Sequence, residues 1–315
     1  MVLPIRRTVT GECFGPAWEN PAIGLAGVAA ANAVNYPHGH AFADGERLMW
    51  HRIERLRMTE DDSRLVSAAA TSFEVLEAVR ELDGAGVSAI ARHLDRSKSG
   101  VFKHVKTLAA GGYLVQQGHE YHVGLGTWAL GTDTLDRFPT ENGEKAVDSL
   151  AASVDRTVAL VLYEAETAVV TYVNNAASTA GVGPARGDTQ PLHATAAGKV
   201  ILAYAAEAVQ ERVLEGDRTS STGETVTDPD ALRTELEAVR QHRTAVDREE
   251  YVEGVECVAA PIVRSPGDPV GAIVISGTTD DLDGTPIEEG TQGLLVSASR
   301  SVENAMGREA TTDVR

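Results

Sequence analysis

"SKSGVFKHVKTLAAGGYLVQQGHEYHVG", residues 97–124, carries two different periods in succession. Val101, Val105 and Leu108 recur at i, i+4 and i+7, which places them on one face of an α-helix. Ser99, Lys103 and Lys106 repeat that spacing on roughly the opposite face, at about 100° per residue. Gly111-Gly112 ends the helix. Two short runs, "YLVQ" and "YHVG", then read as strands joined by Gln117-Gly118-His119-Glu120, a tight hairpin. Upstream, "SFEVLEAVREL" predicts a helix with Phe73, Leu76, Val79 and Leu82 inward, stopped by Asp83-Gly84. A short second helix, "SAIARHL", is expected to be capped by Ser88, with Ile90 and Leu94 on one face. Helix, helix, helix, hairpin is the order of a winged helix-turn-helix.

The charge distribution sharpens this reading. The chain has 315 residues and a formal charge of -18, from 46 acidic against 28 basic side chains. It contains five lysines, three of them between Lys98 and Lys106, and no Asp or Glu lies between Arg96 and His119. Such an acidic whole repels nucleic acid and anionic membranes, so a local basic patch is informative. An outward helix face that meets a DNA major groove needs cations for phosphates and short polar groups for base edges. Ser88, Ser97, Lys98, Ser99, Lys103 and Lys106 supply these, and His119 at the hairpin tip could reach a phosphate or the minor groove. The competing reading is that a solvated helix face simply carries lysines. The acidity, with so little lysine, resembles proteins of salt-accumulating cells.

Two cysteines, Cys13 and Cys257, make neither a disulfide framework nor a Cys-rich zinc site, so a reducing cytoplasm is expected. No apolar run approaches the roughly 18 residues of a membrane span. Residues 1–57 differ in style, with a net charge of +1 against -19 for the rest. Three readings stand. Arg6-Arg7 followed by "PAIGLAGVAAANAV" faintly resembles an export signal, although Glu12, Glu19, Pro and Gly interrupt it. The segment could be a disordered extension. We adopt the third expectation, a native start at Met58, because "MTEDDSRL" opens the acidic style of the remainder.

The segment from "SFEVLEAVREL" through "YHVGLGTWALG" resembles the DNA-binding domain of IclR-type transcriptional regulators. It departs from the usual pattern of that family's third helix, a β-branched residue and a His-Arg pair, by having Gly100, Phe102 and Lys103. The expected boundaries are a winged helix-turn-helix at 58–127 and a linker helix at 128–145, "WALGTDTLDRFPTENGEK", ending in a break.

Beyond the linker the composition reads as α+β. "TVALVLYEAETAVVTYVN" predicts two strands turning near Glu164 to Thr167. "PLHATAAGKVILAYAAEAVQERVL" predicts a turn and one helix, and "DPDALRTELEAVRQH" an amphipathic helix with Leu232, Leu236 and Val239 inward. "GVECVAAPIV" and "PVGAIVISG" read as adjacent antiparallel strands, and "EEGTQGLLVSASRSVENAM" as a closing helix. "PLHATAAGK", Asp247-Arg248-Glu249-Glu250, "GVECVAAPI" and "VGAIVISG" resemble, in order, the signatures of the IclR effector-binding domain, a GAF/PAS-like antiparallel-sheet sensor expected here over 146–310.

From the residues alone, "HATAAGK" sets small residues and free N–H groups at a helix start, a site for a carboxylate or phosphate. Equally, His193 and Thr195 could merely cap that helix, Lys199 could add charge to the site or be solvated, and Asp247, which reads as loop-borne, could as easily be a surface charge. By resemblance, the effector site would involve Thr195, Ala196, Ala197, Asp247, Cys257 and Ser276. A nucleophilic Cys257 would need His193 beside it, and a metal held by His193, Cys257 and Asp247 would need three scattered residues to converge. There is no nucleophile elbow, phosphate loop or HExxH, so neither catalysis nor a cofactor or metal is expected. The resemblance implies a regulator that binds a double-stranded DNA operator as a homodimer or homotetramer. Its effector would be a small molecule, a carboxylate or sugar-derived. The alternative class is a ligand-sensing protein whose winged helix grips another protein.

Overall fold

In the computed structural model, residues 66–175, 183–279, 287 and 290–312 are described; the extension over residues 1–57, with Cys13, and the start at Met58 lie outside them. Three helices open the described chain: α1 (Ser67–Glu81), α2 (Val87–His93) and α3 (Lys98–Ala110). A hairpin of β1 (Leu114–Gln117) and β2 (Glu120–Val123) follows, turning at Gly118-His119. Ala85 exchanges both backbone hydrogen bonds with Tyr121, at 3.0 and 2.9 Å, and so stitches the hairpin to the turn after α1. The predicted stripe of Val101, Val105 and Leu108 is buried in one core with Val75, Val79, Ile90 and Leu114. This is a winged helix-turn-helix.

Two details differ from the sequence reading. Phe73 is 59% exposed, because the buried arc of α1 centres on Val75 and Val79, and a residue two before Val75 lies about 200° round the helix. Ser88 does not cap α2. The cap position is Gly86, and Ser88 stands exposed inside the first turn.

The stretch expected as one linker helix over 128–145 contains the end of one helix and the start of another: α4 (Leu125–Leu135) and α5 (Thr140–Val154). Pro139 caps the second, and Gly143 lets it press on the sheet, where a Cβ would come 2.6 Å from a Leu160 methyl. No residue of α4 is buried. Its flanks are tied by Arg137, which forms a two-point ion pair with Glu164 (2.6 and 3.0 Å).

The larger part is built on a five-stranded antiparallel sheet, β4 (Thr167–Asn174), β3 (Thr157–Glu164), β7 (Asp268–Thr278), β6 (Val255–Ser265) and β5 (Ala245–Arg248), in that spatial order. Strand residues alternate between two cores. On one face Ala159, Val161, Ala259 and Val274 pack under α6 (Ala196–Tyr204) and α8 (Pro229–His242). On the other Val158, Leu160, Val258 and Ile275 pack against α5 and α9 (Gln292–Thr312). The amphipathic stripe of Leu232, Leu236 and Val239 is buried as expected. The single helix expected after "PLHATAAGK" is instead α6 plus α7 (Glu207–Glu215). Ala205 turns extended between them, and the freed carbonyls of Ala203 and Ala205 accept from Arg240 and Gln210 side chains at 2.9 and 2.8 Å. Among the described residues no helix is long and apolar enough to cross a membrane.

Candidate DNA-facing helix and ligand cavity

Burial of the Val101–Val105–Leu108 stripe turns the rest of α3 outward. Lys98, Ser99, Lys103 and Lys106 are all exposed, as is His119 at the hairpin tip. Among the described residues no ion pair engages the three lysines, whereas nearby Arg96 is held by Glu74 at 2.7 Å. Ser97 is the N-cap of α3, its Oγ accepting from the Gly100 N–H at 3.2 Å, so its side chain begins the helix before it can meet anything else. Ser88 lies on α2, outside the α3 stripe.

The second site grows from strand register. Asp247 on β5 pairs with Cys257 on β6, Cys257 with Ser276 on β7, and Ser276 with Thr157 on β3. Cross-strand partners share a face, so these four polar side chains form one row beneath the start of α6. Above the row, Thr195 caps α6, its Oγ1 accepting from Gly198 N–H at 2.9 Å and donating to the Pro191 carbonyl at 3.0 Å. Gly198 is obligatory there, since a Cβ would sit 2.1 Å from the Pro191 oxygen. His193 does not cap; its Nε2 donates to the Thr219 carbonyl at 3.0 Å.

Between row and helix lies a cavity of about 20 Å³, room for a water or two. Thr195, Ala196, Ala197, Asp247 and Cys257, all named from sequence, line it. Ser276 stands just behind: a Cβ on the wall residue Gly183 would come 2.3 Å from its Oγ. The sequence reading missed the remaining walls, among them Pro184, Gln190, Tyr251, Val252 and Val274. Gln190 sits one residue before the quoted "PLHATAAGK", a signal that could have found it.

The electrostatics of this space are set by burial. Asp247, anticipated as a loop residue and a candidate surface charge, is a strand residue only 4% exposed. Its carboxyl accepts from the Glu250 N–H at 2.8 Å, yet desolvation pushes its pKa up to about 7. The Tyr251 hydroxyl is pushed up to about 12 by burial and by the carboxylates of Asp188 and Asp247. Burial, helped by Asp247 and Glu256, holds the Cys257 thiol well above its usual range, the reverse of what an activated nucleophile needs. Gln190 Nε2 and Ser276 Oγ are buried polar atoms without hydrogen-bond partners. Such atoms are uncommon in native interiors and mark a place for a further polar group. Among the described residues no group of three or more His, Cys, Asp or Glu is placed to hold a metal.

Lys199, offered from sequence as a charge for the site or a solvated side chain, is neither. It is 1% exposed, and Nζ is bonded to Glu250 Oε1 at 2.5 Å and Glu235 Oε2 at 2.9 Å. It ties the loop after β5 and helix α8 to α6, and contributes no free positive charge to the cavity.

Comparison with known proteins covers both parts. The model of the IclR helix-turn-helix domain matches residues 68–118, and that of the bacterial transcriptional regulator IclR C-terminal domain matches residues 140–303. The glycerol operon regulatory protein of Streptomyces griseus is 35% identical over 232 residues, 71% of this chain and 88% of that one. The HTH-type transcriptional regulator KdgR of Escherichia coli K12 is 26% identical over 77% of this chain and 93% of its own. The crystal structure of Thermotoga maritima IclR, 26% identical, superposes with a TM-score of 0.60 over 76% of this chain and 99% of that one.

Proposed function

Because this chain belongs to the bacterial IclR family of DNA-binding transcriptional regulators, we propose that α3 docks in the operator's major groove while the cavity beneath α6 receives the controlling effector. The observation that carries the DNA half is the outward stripe of Lys98, Ser99, Lys103 and Lys106, exposed and outside any described ion pair. His119 extends the contact at the wing. Ser97 and Ser88 serve it less directly, the first by starting α3 and the second from α2. The reader occupies 58–127 and the sensor 146–310, with the linker of 128–145 between them; two copies on a two-fold axis, alone or paired into a tetramer, read a partly palindromic site in the cytoplasm.

The effector is a small hydroxylated or carboxylated metabolite. Its groups meet Gln190 Nε2, Ser276 Oγ and the first N–H groups of α6, with Asp247 accepting from it when ionised. The name of the Streptomyces griseus relative, a glycerol operon regulator, supports the hydroxylated end of that range. Present cavity space holds only a water or two, so the effector must widen it, and that differential affinity is what can shift operator binding.

Fluorescence anisotropy on a duplex selected from a random pool tests the DNA half. Wild-type affinity should fall with salt on a log–log plot, and Lys103→Ala and Lys106→Ala should each flatten the slope by about 0.9, the loss of one phosphate contact. Unchanged slopes in both variants would remove α3 from the interface.

A further inference from the structure

Phe102 is out of place for a structural residue. It lies in the middle of α3, yet its side chain is 49% exposed and absent from the winged-helix core that buries Val101 and Val105, which lie about 100° and 60° round the helix to one side of it. Fully burying such a ring would contribute about 1.5–3 kcal/mol, and at 49% exposure the fold forgoes about half of that gain. Its own surroundings are cationic. Lys98 and Lys106 stand one turn before and one turn after it on the same ridge, and Ser99 and Lys103 lie beside it on the side away from the valines, at about 60° and 100°.

That setting selects the partner. Lysine is depleted from the centres of protein–protein interfaces, so a phenylalanine with exposed lysines before, after and beside it is badly placed to anchor another protein. Against a duplex the same arrangement is coherent. The lysines meet phosphates on the two walls of the major groove, and the ring between them faces the groove floor. Only one base there offers an apolar group, the C5-methyl of thymine. We propose that Phe102 is a specificity-determining residue that packs on a thymine methyl in each operator half-site. The proposal rests on the docking of α3 described above.

Replacing thymine by deoxyuridine removes that methyl and nothing else. Full-length protein selects its duplex from a random pool, and each thymine of the half-site is then replaced singly by uracil. At one position or two adjacent ones, wild-type affinity falls about 3- to 10-fold. Phe102→Ala loses a similar factor on the thymine duplex and binds both duplexes alike, whereas Phe102→Leu keeps part of the discrimination. Because the side chain is exposed, the melting temperature of Phe102→Ala stays within about 2 °C of wild type, which separates lost contact from lost fold. Wild-type indifference to uracil at every thymine overturns the proposal, as does undiminished discrimination in Phe102→Ala or a selected half-site without thymine. If the salt slope also ignores Lys103→Ala and Lys106→Ala, docking through α3 fails, and the Phe102 proposal falls with it.

Discussion

Replacing Lys199 by Met should damage the sensor domain far more than replacing a surface lysine. The side chain is 2% exposed, and Glu250, its 2.5 Å partner, is 9% exposed. Removing the cation leaves a buried carboxylate whose second oxygen already lacks a partner. Breaking a buried pair from one side costs about 3–5 kcal/mol. Glu235 is 41% exposed and recovers hydration from water, so it adds little. At about 2–4 °C per kcal/mol for a domain of this size, the melting temperature should drop by roughly 10 °C at pH 8. The pH dependence identifies the cause. Burial already raises the Glu250 carboxyl from 4.5, and Lys199 opposes that rise. Without Lys199 the folded state holds the Glu250 proton more tightly still. The variant is then least impaired near or below pH 4.5 and loses stability, relative to wild type, as pH climbs. Adding Glu250→Gln to Lys199→Met should restore most of the loss at pH 8. Urea denaturation of the four proteins of the cycle at pH 5 and 8 measures all of this. A loss under about 1 kcal/mol at pH 8, a defect flat with pH, or a double variant no better than Lys199→Met refutes the buried-pair account.

Asp247→Asn should flatten a different part of the pH profile. The folded carboxyl titrates near 7 against 3.8 for the free group, so its contribution is complete below about 3.8 and drains away as pH rises through about 7. Wild type should therefore lose up to about 4 kcal/mol, relative to the variant, between pH 4 and 8; parallel profiles by chemical denaturation would contradict the buried placement. Two glycine-to-alanine changes form a matched pair. Gly198→Ala drives a methyl against the Pro191 carbonyl backbone and should cost about 1–3 kcal/mol. Gly131→Ala in α4 meets nothing within 4 Å and should gain about 0.5–1 kcal/mol. Equal effects in thermal melts would mean the α6 start is looser than its contacts indicate.

What was legible in the sequence was whatever repeats locally. The α3 stripe and the hairpin are written in periods of 3.6 and 2 over 28 residues, and the strands β3, β4, β6 and β7 announce themselves as β-branched runs. Cavity residues were named through resemblance, and five of six line one space. The misses share a long-range origin. Lys199 finds its partners 36 and 51 residues away, a convergence no local pattern encodes. Asp247 reads as loop from sequence because β5 is only four residues long and gains its identity from pairing with β6. The helix break at Ala205 depends on two side chains that donate to its freed carbonyls, one of them from Arg240, 37 residues away, while the alanine-rich sequence itself favours continuation. Phe73 misled because a large apolar residue at helical spacing was counted inward without the actual centre of the buried arc.

The walls of the cavity come from two kinds of material with different freedom to vary. The row of Asp247, Cys257, Ser276 and Thr157 is fixed by a ladder in which a slip of one residue would turn every side chain inside out. Gly183, Pro184, Gln190, Tyr251 and Val252 hang on connecting segments outside that ladder. A biosensor engineer seeking a new inducer for this scaffold should randomise Pro184, Gln190, Tyr251 and Val252, keep Gly183, where a Cβ would strike Ser276, and leave the row untouched. Gene duplicates drifting toward new metabolites have the same inexpensive route open to them.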